Sequence, residues 1–327
     1  MDEVLLKIRE LYEIDTHISE KVTKGFLSEN HILSDGEKKY FLKKYRFDSE
    51  EKIKGIHSVK KYFAAGGIPV ILPILNRENR TFFYVNGGYY ALFPFISGRH
   101  IESENLTDVS IISLGETLAK IHLLGKKSKL TIGEDLKAWD KTKTLSEFES
   151  IINVIQQQKE LNDFDKLALK DINMRKSLVA SNTINWQDLD LKNDHLLHGD
   201  YYDQNVFFDE RGYVSSVFDF EKTIYSPRSF ELIRSMMKNF FSNDFNVSNI
   251  NKAKLYLHSY LNIYPASREE LRTGFRLYYL RTIHSAWVQK EHYLKKNYRV
   301  DQFLHNHYQN IKYLSEHFQE VENDLID

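Results

Sequence analysis

The reading of this chain turns on Leu196–Glu221, LLHGDYYDQNVFFDERGYVSSVFDFE. Two short apolar runs, NVFF and VSSVF, lie on either side of a turn-forming DERG, and this pattern predicts a β-hairpin. Asp200 and Asn205 precede the first run, and Asp219 follows the second. A hairpin brings its open ends together, so these three polar side chains are predicted to converge.

Composition narrows what such a convergence serves. The chain has 327 residues, 42% of them apolar, with 20 Tyr and 21 Phe. That suffices for one large or two smaller domains with real cores. The formal net charge is −1, so no global field draws the protein to nucleic acid or to an anionic membrane. With no cysteine, disulfides, thiolate catalysis and Cys-ligated zinc are excluded. The first residues, MDEVLLKIRELYEID, read as an amphipathic helix rather than a leader. No uncharged run approaches the length of a membrane helix. The expectation is a cytoplasmic protein with no nucleic-acid or membrane partner. The sequence carries no signal of oligomeric state.

Up to Gly98, turns and strands dominate. HISEKVTKGFLSENHILSDGEKKYFLKKYRF reads as two strands joined at Asp35-Gly36, with Gly25 in the preceding turn. In DSEEKIKGIHSVKKYFAAGG, Ile53, Ile56, Val59, Tyr62 and Phe63 recur at helical spacing, and Gly66-Gly67 ends the helix. IPVILPIL and RTFFYVNGGYYALFPFI read as further strands, the latter turning at Asn86-Gly87. Beyond Gly98 the pattern is helical, interrupted by the hairpin. The predicted class is α+β in two lobes: a small β-rich N-lobe, residues 1–96, and a large, mainly helical C-lobe, residues 97–327.

HGDYYDQN, residues 198–205, is H-x-D followed by four residues and then Asn. This is the spacing of the protein-kinase catalytic loop, and Asp219 in VFDFE stands where the D-F-G aspartate would bind Mg²⁺. Phosphoryl transfer leaves charge on phosphate oxygens, which metal ions neutralise while a separate carboxylate meets the nucleophile. Asp200 is thus the predicted catalytic residue, and Asn205 and Asp219 are the predicted metal ligands.

LLHGDYYDQNVFFD, VSSVFDFEKTIYSPRSFELIRSM and LGETLAKIHLLG together resemble the aminoglycoside phosphotransferase and choline kinase-like family, over roughly Gly25 to Met237. The resemblance implies a protein kinase-like fold with ATP in the cleft, Mg²⁺ as cofactor and a small-molecule hydroxyl as acceptor: an aminoglycoside, an amino alcohol, homoserine or a similar metabolite. His198 would be the structural histidine of the loop, and Glu231 occupies a place usually held by Asp. Strand alternation puts Lys43 on the face of Phe41 and Tyr45, as the phosphate lysine, with Lys44 facing away. TKGFLSEN fits the phosphate-covering turn, with Gly25 and Ser28 as contacts. ALFPFISG would be the hinge, with Phe93 and Phe95 around adenine. The place of the helix glutamate that usually pairs with the lysine falls on or beside His57, not on an acid, with Glu50 and Glu51 about two turns earlier, so either the pairing shifts or Lys43 is held otherwise.

The acceptor site is expected between the catalytic loop and the C-terminal helices, drawing on Tyr202, Asp203, Trp287 and Glu291. Trp287 and Glu291 are four apart and would share a helix face, a pairing suited to a cationic acceptor. A protein-serine/threonine kinase is disfavoured, because SPRSFEL follows Asp219 too soon for an activation loop. The alternative from another class is a kinase-fold structural or coat protein that binds nucleotide with little turnover.

Overall fold

The computed structural model describes residues 1–22, 30–96, 98–132, 135–189, 191–242 and 245–326, and among these a five-stranded antiparallel sheet and eleven α-helices are the main elements. The sheet comprises β1 (His17–Val22), β2 (Asn30–Ser34), β3 (Lys39–Lys44), β4 (Phe83–Val85) and β5 (Gly88–Pro94), in the order β1-β2-β3-β5-β4. The Asp35-Gly36 and Asn86-Gly87 turns lie where the sequence predicts, with Gly36, Asn86 and Gly87 at positive φ. Helix α1 (Asp2–Tyr12) packs Val4, Ile8 and Leu11 against Leu33, Leu42, Phe83 and Leu92.

Helix α2 (Glu50–Ala65) begins at Ser49, whose hydroxyl accepts from the Lys52 amide at 3.2 Å. One flank, through Ile53, packs with Tyr45, Ala91 and Phe93. The other, through Ile56, Val59 and Phe63, joins the large core of the second lobe. That lobe starts with α3 (Asp108–Gly125), α4 (Lys141–Gln156) and α5 (Asp163–Ser181). The stretch around Leu196–Glu221 follows as β6 (His195–Leu197), β7 (Val206–Phe208), β8 (Val214–Val217) and β9 (Ile224–Ser226). Then come α6 (Arg228–Phe240), α7 (Val247–Ile263), α8 (Arg268–Ile283), α9 (Trp287–Gln289), α10 (Leu304–Glu316) and α11 (Phe318–Ile326). No described helix is long and apolar enough to cross a membrane.

Two local expectations change. The stretch read as two strands holds three, because edge strand β1 adds HISEKV, whose polar His17, Glu20 and Lys21 break the apolar alternation that marks a strand. IPVILPIL is not a sheet strand. Pro69 and Pro73 cannot donate to a ladder, and the segment instead reaches down to the β7–β8 hairpin. Val70 bridges Val217 in parallel, the Val217 amide donates to the Pro69 carbonyl at 2.8 Å, and the Ile71 amide donates to the Val217 carbonyl at 3.1 Å. On the far side of the hairpin, Arg99 and Phe208 exchange backbone bonds of 3.2 and 3.0 Å. Both segments that run between the lobes therefore pair with the two strands of one hairpin.

Candidate active site

The loop between β6 and β7 is shaped by buried polar contacts. His198 is fully buried, and its Nε2 donates to the Phe218 carbonyl at 2.7 Å while Nδ1 accepts from the Asp200 amide at 3.2 Å. Only the neutral Nε2-protonated ring satisfies both partners, and burial likewise lowers its pKa. Gly199 has φ +83°, and a Cβ there would collide with the Lys222 carbonyl oxygen, so only glycine fits. Glu231 of α6, 2% exposed, accepts from the amides of His198 (3.0 Å) and Gly199 and lies 3.1 Å from His122 Nε2. Burial would raise its pKa, but the His122 hydrogen bond and nearby cations outweigh that and hold it low. Glu231 thus fastens the loop to the helical core.

The three predicted residues converge. The Asn205 amide nitrogen donates to the Asp200 carbonyl at 2.7 Å, which leaves its side-chain oxygen out of that bond. The Phe218 amide donates to the Asn205 carbonyl at 3.1 Å, so Asp219 follows directly across the hairpin. Asp219 sits in the left-handed region, φ 61° and ψ 60°, which Asp tolerates better than most residues. Its Oδ1 lies 2.8 Å from Lys43 Nζ.

Lys43 also lies 2.7 Å from Glu221 Oε1, while the other Glu221 oxygen takes Arg46 at 3.1 Å. Burial would lower the Lys43 pKa, but Asp219 and Glu221 outweigh it and raise the value. The lysine's second carboxylate therefore comes from the position of the D-F-G glycine, not from α2. His57 is buried and bonded to Tyr45 Oη (2.6 Å) and Thr81 Oγ1 (2.7 Å), and burial with the nearby Lys60 and Lys43 charges pushes its pKa down to about 3.

Lys60, one turn beyond His57, is the residue the sequence reading missed in this lobe. It is 4% exposed, 3.4 Å from the Ile71 carbonyl and over the Phe93 ring at 4.4 Å, and burial followed by Lys43 pushes its pKa down to about 7. Between that value and the ordinary lysine range, the unfolded chain holds a proton that the folded chain lacks, so stability rises with pH across this window. Below about pH 7 the full cost of burying the charge applies, on the order of 4 kcal/mol. Lys60→Met is expected to raise Tm most at pH 6, with less than half of that gain left at pH 9.5, in paired melts against the wild type. A gain independent of pH would show that Lys60 carries no such penalty.

Asp200 lies among cations. Lys222 holds its Oδ2 at 2.6 Å, and Arg234 and Lys238 hold its Oδ1 at 2.5 and 2.9 Å. Burial would raise the Asp200 pKa, but Arg234, Lys238 and Lys222 keep it well below the usual carboxylate range. Tyr202 lies under Lys238, with Nζ 3.1 Å from the ring centroid. Asp203 is buried: its amide donates to Asn239 Oδ1 at 2.8 Å and its carboxylate accepts from Ser103 at 2.8 Å. Arg234 and Lys238 were readable as positions i+3 and i+7 after Glu231, on one face of α6.

The remaining predicted residues divide. Gly25 and Ser28 lie outside the described residues. Phe93 is buried facing α2, whereas Phe95 is more open, with its amide donating to the Lys39 carbonyl at 3.3 Å. Trp287 lies in α9, and Glu291 lies in the π-helical turn Lys290–Leu294 that follows it, where the wider winding departs from i, i+4 geometry. Trp287 packs on Phe303 and His307 at 5.9 and 5.8 Å. Glu291 is held by Lys295 (2.6 Å) and Asn297 (3.1 Å) on the wall of a cavity of about 720 Å³ that also presents Lys44, Arg46 and Arg299.

A fold of this kind, with H-x-D, Asn and Asp on one hairpin facing a strand lysine, defines a kinase-like phosphotransferase. Residues 20–271 match the model of the phosphotransferase enzyme family, and the chain belongs to that family. Solved structures share the fold across the whole chain. A spectinomycin phosphotransferase in complex with ADP and spectinomycin is 16% identical, with a TM-score of 0.63 over 96% of this chain and 94% of its own. A microcompartment-associated aminopropanol kinase is 13% identical, with a TM-score of 0.65 over 100% and 99%. Choline kinase from Cryptosporidium parvum Iowa II is 10% identical, with a TM-score of 0.62 over 99% and 98%. No curated protein matches the chain in sequence.

Proposed function

We propose that this chain is an ATP- and Mg²⁺-dependent kinase that phosphorylates a hydroxyl group of a small molecule. The observation that carries the reading is the convergence of Asp200, Asn205, Asp219 and Lys43 at one hairpin end. Asp200 orients the acceptor hydroxyl. The acceptor's hydroxyl oxygen bonds to the γ-phosphorus as the bridging bond to the β-phosphate breaks, the hydroxyl proton passes to Asp200, and ADP leaves. Lys43, held by Glu221, contacts the phosphates.

Among the described residues no group of three His, Cys, Asp or Glu side chains forms a metal cage. One carboxylate and one carboxamide oxygen suit Mg²⁺, which takes water and phosphate oxygens for its remaining positions. Asp219 and Asn205 would hold it, and it would neutralise charge on the transferring phosphate. The neighbours named for spectinomycin, aminopropanol and choline support a small hydroxyl acceptor. Helix α6 begins at Arg228, soon after Asp219, which argues against the activation segment of a protein kinase. The test is ADP release from ATP and Mg²⁺ across a panel of aminoglycosides, amino alcohols, hydroxy amino acids and sugars. Acceptor-dependent release is expected, and its absence across such a panel, despite nucleotide binding, would overturn the reading.

A further inference from the structure

The cations around Asp200 come from two directions. Lys222, next to the hairpin, takes one carboxylate oxygen, while Arg234 and Lys238 of α6 take the other. Arg281 of α8, a helix packed along α6, adds a fourth charge near enough to interact electrostatically with Arg234 and Asp200. Arg281 is half-buried and makes no hydrogen bond or ion pair among the described residues. The carboxylates facing this group are Asp200, Glu231 and Asp203; Glu231 also takes His122 and the loop amides, and Asp203 also accepts from Ser103. Four cations against three carboxylates leave one positive charge unmatched, and Arg281 is the cation of the four without an ion pair among the described residues.

The strain registers on the cations. Burial and then Arg234 push Lys238 down to about 7 and Arg281 down to about 10. A buried charge without a counter-ion is costly, and a guanidinium escapes that cost by binding an anion, in a geometry that matches carboxylate or phosphate. The excess does not belong to the ATP phosphates, because Arg234, Lys238 and Arg281 come from α6 and α8 rather than from the hairpin carrying Asn205 and Asp219.

We propose that the acceptor itself carries an anionic group, a carboxylate or a phosphate ester, which Arg281 and Arg234 hold while Asp200 receives its hydroxyl. This rests on the kinase reading and replaces the cationic acceptor that Trp287 and Glu291 suggested from sequence.

The test is equilibrium titration of the full chain with matched acceptors: short ω-hydroxycarboxylates against their primary amides, and sugar phosphates against the parent sugars. In at least one pair the charged member is expected to bind about tenfold or more tightly, the scale of a charge-assisted hydrogen bond; the pair that discriminates tells carboxylate from phosphate. Arg281→Met is expected to erase that preference and leave AMP-PNP affinity unchanged, with Arg281→Lys between the two. Equal binding in every pair, or tighter binding of amine-bearing acceptors, overturns the proposal, and this comparison needs only the wild type. ADP release in the same samples separates the two readings. Discrimination without release keeps the anion site and removes the kinase, whereas release only with neutral or amine acceptors keeps the kinase and removes the anion site.

Discussion

Asp219→Asn is expected to lower kcat by about 10³-fold or more, the equivalent of about 4 kcal/mol of transition-state stabilisation lost with the metal. Asparagine is the substitution of choice because Asp219 occupies the left-handed region, where Asn is tolerated and alanine is strained. Shape is kept and charge is lost. Lys43 keeps Glu221 as a partner, so the protein should still melt cooperatively. Titration of ADP release against Mg²⁺ gives the answer: the variant should need far more Mg²⁺ for any residual rate. A kcat within tenfold of the wild type, at unchanged Mg²⁺ dependence, would remove Asp219 from the metal site.

Asp200→Asn should cut kcat by about 10²–10⁴-fold, the range for a positioned acid–base group. Three cations hold this carboxylate well below its usual range, which makes it a poor base. Most of its effect is therefore orientation of the hydroxyl in line with the γ-phosphate, with the proton leaving late. Nucleotide affinity should change little, since the metal is assigned to Asn205 and Asp219. Asp203→Asn is the control. It lies three residues on but anchors the loop to Ser103 and Asn239, so it should lower Tm while kcat per folded molecule stays within about tenfold. The reverse outcome, with Asp203→Asn losing kcat and Asp200→Asn keeping it, would mean that the loop works in a different register.

The parts of the site legible in the sequence were local. H-x-D and Asn share one loop, Asp219 follows at hairpin distance, and strand alternation alone selects Lys43 over Lys44. The Asp-Gly and Asn-Gly turns fixed the sheet's hairpins because few other residues accept positive φ. Contacts between distant segments stayed hidden. Nothing near Lys43 announces that Glu221 holds it, and nothing in LYYLRTIHSA announces that Arg281 comes within electrostatic reach of Arg234 and Asp200. The pairing of Trp287 with Glu291 rested on i, i+4 geometry, which presumes an unbroken α-helix, whereas Glu291 lies in a π turn that begins at Lys290. IPVILPIL misled because apolar content was weighed above its two prolines.

The stitching of residues 69–71 and Arg99 onto the two strands of the hairpin has a mechanical consequence. With the inner flank of α2 also packed in the core of the second lobe, these crossing segments and the hairpin form one block. Asn205 and Asp219 belong to that block, so a motion that opened the cleft by displacing the sheet would carry Lys43 on β3 and leave those two residues in place.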